Sequence, residues 1–171
     1  VKQNQGFINV SSEPGQGSTF RIYLPWYRSS AVHAPEPSPV VPDSRGNETI
    51  LLVEDEAAIL NLATQMLERL GYKVLGATTP GRALEMAREY AGDIHLLMTD
   101  VVMPEMNGRD LARALLSLYP DMKRLFMSGY TANVIAHHGV LDQGVHFIQK
   151  PFSKNDLALK VRTVLDTSEH L

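Results

Sequence analysis

The sequence has no cysteine. Disulfides, a thiolate metal site and a cysteine nucleophile are therefore excluded, and a cytoplasmic location is the expectation. It has no apolar run near the ~20 residues that a membrane span needs. No direct membrane contact is expected of this stretch, although a longer parent could be membrane-anchored. A basic stripe is also missing: Lys and Arg number 16 against 19 Asp and Glu, for a net charge of −3. Phosphate contacts need clustered Lys and Arg, so nucleic acid is not an expected partner. The opening "VKQNQGFINV" lacks the basic start and apolar stretch of a signal peptide, and it reads as a cut through a longer protein. Internal repeats are absent. What is there, 44% apolar and 20% charged residues over 171 positions, suits a soluble chain with one ordinary domain plus extra segments.

Proline divides the chain. Pro25, Pro35, Pro37, Pro39 and Pro42 fall within one stretch of the sequence. Proline fixes φ and lacks an amide donor, so residues 25–47 read as an extended, solvated linker. Before it, residues 1–24 contain "GFINVSSEPGQGSTFRIYLP". Phe7–Val10 has strand composition, Pro14-Gly15-Gln16-Gly17 is a turn signal, and Phe20, Ile22 and Leu24 alternate as in a half-buried strand. That predicts a β-hairpin. An isolated hairpin is marginal in water, so it is expected to be mobile or to add to another sheet.

After the linker, residues 48–168 alternate strand and helix patterns. Strands are predicted at Thr49–Val53, Tyr72–Leu75, Ile94–Thr99, Arg124–Met127 and Val145–Gln149. The first helix carries Ile59, Leu62, Ala63, Met66, Leu67 and Leu70 at helical spacing and stops at Gly71. Thr79-Pro80 opens a helix through Tyr90, Asn107 begins one that ends before Pro120, and a short one starts near Thr131. Ser153 caps the last, with Leu157, Val161, Val164 and Leu165 on one face. Five strands alternating with five helices predict an α/β fold, a doubly wound parallel sheet with helices on both faces. The flavodoxin-like order 2-1-3-4-5 puts the site beyond the carboxyl ends of strands 1 and 3.

Strand 1 ends in Glu54-Asp55-Glu56 and strand 3 in Asp100. Carboxylates held together repel unless a cation joins them. Oxygen-only donors favour Mg²⁺ (or Mn²⁺). Strand 4 ends at Ser128, a hydroxyl, and strand 5 at Lys150, a cation. Such a rim could receive a phosphoryl group, with the carboxylate attacking phosphorus and the cations offsetting charge on its oxygens. Taken singly, each residue has an ordinary reading: Asp100 as a turn cap, Glu54 and Asp55 as a solvated strand end, Ser128 as uninformative, Lys150 as a surface lysine. Their joint placement on one rim carries the argument. His137-His138 reads as a solvated helix end, and the methionines as packing.

The blocks "ILLVEDE", "LLMTDVVMPEMNG", "RLFMSGYT" and "FIQKPF" resemble, in order, the signature blocks of response-regulator receiver domains. The resemblance implies that Asp100 is the phosphoacceptor. It implies Mg²⁺ on the Asp55 and Asp100 side chains and the Val102 carbonyl, with Glu54 helping through water. Ser128 and Lys150 would hold the phosphoryl group, and Phe147 would be the switch aromatic. The Lys150–Pro151 bond is expected to be cis. The implied donor is a phosphohistidine, on a kinase dimerisation domain or a histidine phosphotransfer protein. The face of the fourth helix, fifth strand and fifth helix is expected to switch. That face, or the hairpin edge, offers a route to a dimer.

The hairpin resembles the final strand pair of a histidine-kinase ATP-binding domain. Together the segments imply part of a hybrid sensor histidine kinase, in which this stretch at most catalyses its own phosphorylation and dephosphorylation. The alternative is a Mg²⁺-dependent phosphohydrolase with an aspartyl-phosphate intermediate. It needs a second acid beside the nucleophile, where Val101 and Val102 stand.

Overall fold

The computed structural model describes residues 1, 5–26, 45–129 and 146–167. Two compact units divide the chain, Val1–Val40 and Val41–Leu171.

In the first unit, β1 (Phe7–Glu13) pairs antiparallel with β2 (Gly17–Tyr23). Gly15 and Gly17 take positive φ of 76° and 88°, and the Gln16 amide donates to the Glu13 carbonyl at 3.0 Å. The turn residues thus set the hairpin, whose strands extend further towards the turn than composition suggested. Ile8 faces Ile22 and Val10 faces Phe20 across the pair. Residues directly opposite share a face, so these four form one apolar side. Phe20, expected to be half-buried, is 65% exposed; among the described residues of this unit the pair is a single two-stranded layer.

The second unit holds β3 (Thr49–Val53), α1 (Ala57–Glu68), β4 (Lys73–Ala77), α2 (Pro80–Glu89), β5 (Leu96–Asp100), α3 (Gly108–Leu116), β6 (Lys123–Ser128), β7 (His146–Gln149) and α4 (Lys154–Asp166). The sheet order is β4-β3-β5-β6-β7, parallel throughout. This is the predicted doubly wound order. The helix predicted near Thr131, the pair His137-His138 and Val145 lie outside the described residues.

Local chemistry explains the boundaries. Thr79 accepts from the Arg82 amide with Pro80 just inside the helix, and Asn107 accepts from the Asp110 amide. Ser153 and Asp156 form a reciprocal capping box. After α1, Gly71 takes a φ of 96°, and its amide closes on the Glu68 carbonyl at 2.9 Å.

Alternating strand residues feed two cores. Ile50, Leu52, Leu96, Met98, Leu125 and Met127 pack with α1 and α4 on one face. Leu51, Val53, Leu97 and Phe126 pack with α2 and α3 on the other. Arg162 of α4 pairs with Glu48 at 2.8 Å, tying the last helix to the start of β3. The α1 stripe differs from the predicted one. Leu60, Ala63, Leu67 and Leu70 are buried, whereas Leu62 is 54% exposed. Leu62 sits one position from Ala63, so the stripe that meets the sheet turns it outward.

Gly108 opens α3 where a side chain does not fit, since a Cβ there would overlap the Asp100 carbonyl oxygen. Gly108→Ala is expected to destabilise the fold by roughly 1–3 kcal/mol. Urea unfolding at equilibrium measures it. A variant as stable as the wild type would mean that the loop after β5 yields freely.

Candidate functional site

Parallel pairing aligns the strand ends, and the sheet order puts β3, β5, β6 and β7 side by side. Glu54 follows β3, Asp100 ends β5, Ser128 ends β6 and Lys150 follows β7. The structure therefore brings together residues up to 96 positions apart. Glu54 is nearly enclosed, at 1% exposure. Its backbone amide donates to the Ala77 carbonyl of β4 at 3.1 Å, which continues the sheet past the strand end. The Lys150 amide likewise donates to the Ser128 carbonyl at 2.7 Å, and the Lys150–Pro151 bond is cis.

Lys150 is the hub. Its Nζ donates to Glu54 Oε1 at 3.2 Å, Glu54 Oε2 at 2.9 Å and Asp100 Oδ2 at 2.6 Å. The other Asp100 oxygen, Oδ1, accepts the Val102 amide at 3.2 Å. Asp55 is exposed, and one oxygen from each of Glu54, Asp55 and Asp100 lies within 4.8 Å of the others. These are hard oxygen donors, close enough together for a single small divalent cation. Ser128 is buried, Phe147 is half-buried against the α2/α3 core, and Val102 is exposed.

The loop after β5 is bent hard. The Met106 amide donates to the Pro104 carbonyl at 2.8 Å, with Glu105 between them at a φ of 68°. This is the rarer, strained form of γ-turn. The Gly108 amide, donating to Val101 at 3.0 Å, pins the loop at its end.

A cleft of about 540 Å³ opens beside Asp100, lined by Glu56, Ile59, Leu62, Val102, Pro151 and Phe152 among others. Of these, the sequence placed only Val102 among the site residues, with Glu56 as part of the acidic end of strand 1. The available signal was Ile59 and Leu62, spaced i, i+3 and one residue off the core stripe.

A family model described as "Response regulator receiver domain" matches residues 50–162. The chain belongs to that family. The receiver fold places this domain among known relatives. The sensor kinase CckA of Brucella abortus (strain 2308) is 37% identical over 178 residues, covering 99% of this chain and 19% of that kinase. This chain thus spans a small part of the kinase it matches. The response regulator receiver protein CpdR of the same strain is 33% identical over 116 residues, covering 68% of this chain and 95% of its own. The crystal structure of the receiver domain from hybrid histidine kinase CckA superposes with a TM-score of 0.59 at 36% identity, over 69% of this chain and 99% of that one. Receiver domains bind Mg²⁺ at an acidic pocket, and Glu54, Asp55 and Asp100 form an acidic cluster at the strand ends.

Charge in the receiver site is unbalanced: three carboxylates meet one ammonium. Burial pushes the Glu54 carboxyl above its usual range, opposed by the hydrogen bonds and charge of Lys150 and reinforced by the charge of Asp100. Burial works against the Lys150 ammonium, but its bonds to Asp100 and Glu54 outweigh that and raise it. A lysine raised in the fold adds stability below its ordinary pKa of 10.5, lost as pH climbs through the raised value. A glutamate raised in the fold costs stability once ionised, and the cost is relieved as pH falls through its raised value. Lys150→Met is therefore expected to move the Glu54 titration to higher pH. It should also destabilise the domain at neutral pH by about 1–3 kcal/mol, less so in acid. Carboxyl ¹³C NMR against pH reads the first, and an unmoved titration would count against the pairing.

Proposed function

We propose that this chain is the phosphoacceptor module of a two-component phosphorelay, with Asp100 as the residue phosphorylated. One observation carries the reading: the Asp100 carboxylate is held at both oxygens, by the Val102 amide and by Lys150, at the edge of an open cleft. Such a carboxylate is oriented before any substrate arrives.

In this reading Asp100 attacks the phosphorus of a phosphohistidine. The P–N bond breaks, its electron pair leaves on the imidazole, and an aspartyl-phosphate forms. Lys150 meets one phosphoryl oxygen and the Ser128 hydroxyl another. Asp55, Asp100 and the Val102 carbonyl are the proposed Mg²⁺ ligands, with Glu54 acting through water. Bound Mg²⁺ supplies positive charge to the transferring oxygens. Excess negative charge on the rim supports this, because an added phosphoryl brings a further −1.5 to −2 or so near neutral pH. The apolar cleft wall of Ile59, Leu62, Pro151 and Phe152 supports a protein donor, either a kinase dimerisation domain or a histidine phosphotransfer protein.

The domain reading is residues 1–24 as the end of a kinase ATP-binding domain, 25–47 as linker and 48–168 as receiver, in the cytoplasmic part of a hybrid kinase. The end-to-end match to CckA, hairpin included, supports it. Among the described residues no helix is long and apolar enough to cross a membrane. Phe147 is the proposed switch, since half-burial leaves it able to turn further inward. The face it would alter also offers a dimer contact.

Intact mass after treatment with an acyl phosphate and Mg²⁺ tests the acceptor. Wild type should gain one phosphoryl group, and Asp100→Asn none. Equal labelling of both would reject Asp100. In unfolding experiments, Mg²⁺ at a hundredfold excess over its Kd should stabilise the wild type by about 2.7 kcal/mol. Asp55→Asn should lose most of that gain. A full Mg²⁺ response from Asp55→Asn would remove Asp55 from the ligand set.

A further inference from the structure

We propose that Glu54 is the seat of Lys150, the carboxylate that keeps the ammonium in the site when Asp100 gives its oxygen to phosphorus. The proposal rests on Asp100 being the acceptor. An ammonium has three protons to donate. Two of the three bonds of Lys150 go to Glu54, at 3.2 and 2.9 Å, and one goes to Asp100 at 2.6 Å. The Asp100 bond is the shorter, but it is the one that chemistry disturbs. Once Asp100 is esterified its carboxylate charge is gone and an oxygen is committed to phosphorus.

Glu54 has no such demand on it, and its position is fixed. It is 1% exposed, whereas the Asp100 side chain is 14% exposed. Pairing is stronger where water is excluded. Both ends of the Glu54–Lys150 pair are held by backbone bonds, Glu54 to Ala77 and Lys150 to Ser128. The lysine stem is flexible and would lose its place if Asp100 were its sole partner. Anchored on Glu54, Nζ can swing its third proton from Asp100 to an incoming phosphoryl oxygen without leaving the site. The Glu54 carboxylate also accepts the Glu56 backbone amide and still has one lone pair left, so a water-bridged contact to a cation is compatible with the seat. Glu54 is thus a positioning residue acting through Lys150.

The test is ¹⁵N NMR of lysine ammonium groups in the whole chain, with Lys150 assigned through Lys150→Arg. A held ammonium exchanges slowly and gives a signal. It should be present in wild type, persist in Asp100→Asn and Asp55→Asn, and vanish in Glu54→Gln. Asp55→Asn removes the same charge from the same cluster and so controls for electrostatics alone. Backbone amide spectra establish that each variant is folded. Should Glu54→Gln fail to fold, Glu54→Asp, shorter by one methylene, should weaken the signal. No signal in wild type, its loss in Asp100→Asn, or its survival at full strength in the Glu54 variant would each overturn the seat.

Phosphorylation by an acyl phosphate at saturating Mg²⁺ gives a second readout. Glu54→Gln and Lys150→Met should slow it equally, on the order of 10–100-fold for a lost charge-stabilising contact. The double variant should be no slower than either. Losses that add would mean that Glu54 acts independently of the lysine, against the proposal. A wild type that takes no phosphoryl group would reject the acceptor reading instead, and the ammonium spectra would still decide the seat.

Discussion

An excess of negative charge on one rim of a parallel sheet is the constraint around which this domain is organised. Glu54, Asp55 and Asp100 converge because β3 and β5 are neighbours whose carboxyl ends are in register. Unbalanced, such a cluster would open or protonate. Lys150 prevents that from within the fold, reaching from the far side of β6 to bond two of the three acids. The balance is partial, with three carboxylates to one ammonium, and the remaining charge is what the proposed Mg²⁺ would answer. The same groups therefore bear on the stability of the domain and on the proposed phosphoryl transfer.

Backbone geometry holds the Asp100 carboxylate in place. Asp100 ends β5, and the chain then turns through the strained Glu105 to reach α3. Gly108 allows that return to pass against the Asp100 carbonyl, and its amide ties off the loop on Val101. Buried Val101 and Met103 anchor the loop in the α2/α3 core. A greasy loop after an acidic strand tip is thus consistent: its apolar side chains fix the bend, and its amide at Val102 holds Asp100 Oδ1. The strained Glu105 thus sits beside the acidic cluster and is supported by packing around it.

Much of this was legible in the chain itself. The β3 and β5 runs are apolar on both faces, as strands between helix layers must be, and each stops at an acid. Thr79-Pro80, Asn107 and Ser153 announce helix starts through side-chain oxygens that cap free amides. Alternating elements and right-handed crossovers pointed to a doubly wound sheet, and in its flavodoxin-like order Glu54, Asp55, Asp100, Ser128 and Lys150 meet. Less legible was which apolar residues of α1 face inward. Ile59, Leu62, Leu60 and Ala63 are all apolar, and a hydrophobic pattern this dense fits more than one rotation of the helix. The hairpin was legible as a hairpin from its turn, but not the exposure of its apolar face, because alternation records which side is apolar and says nothing of whether a layer covers it.

The sequence by itself determined the order of elements, their caps and the positions of the acids, hydroxyl and lysine at strand ends, since these depend on local pattern and on the limited ways of winding a parallel sheet. The tertiary structure alone decided how those groups share their bonds. Two Lys150 bonds go to Glu54 and one to Asp100, and Ile59 and Leu62 turn to the cleft instead of the core. The reason is distance and rotation: hydrogen bonds are settled over fractions of an ångström between strands far apart in sequence. Which face of a helix is buried depends on how the helix seats on the sheet beneath it.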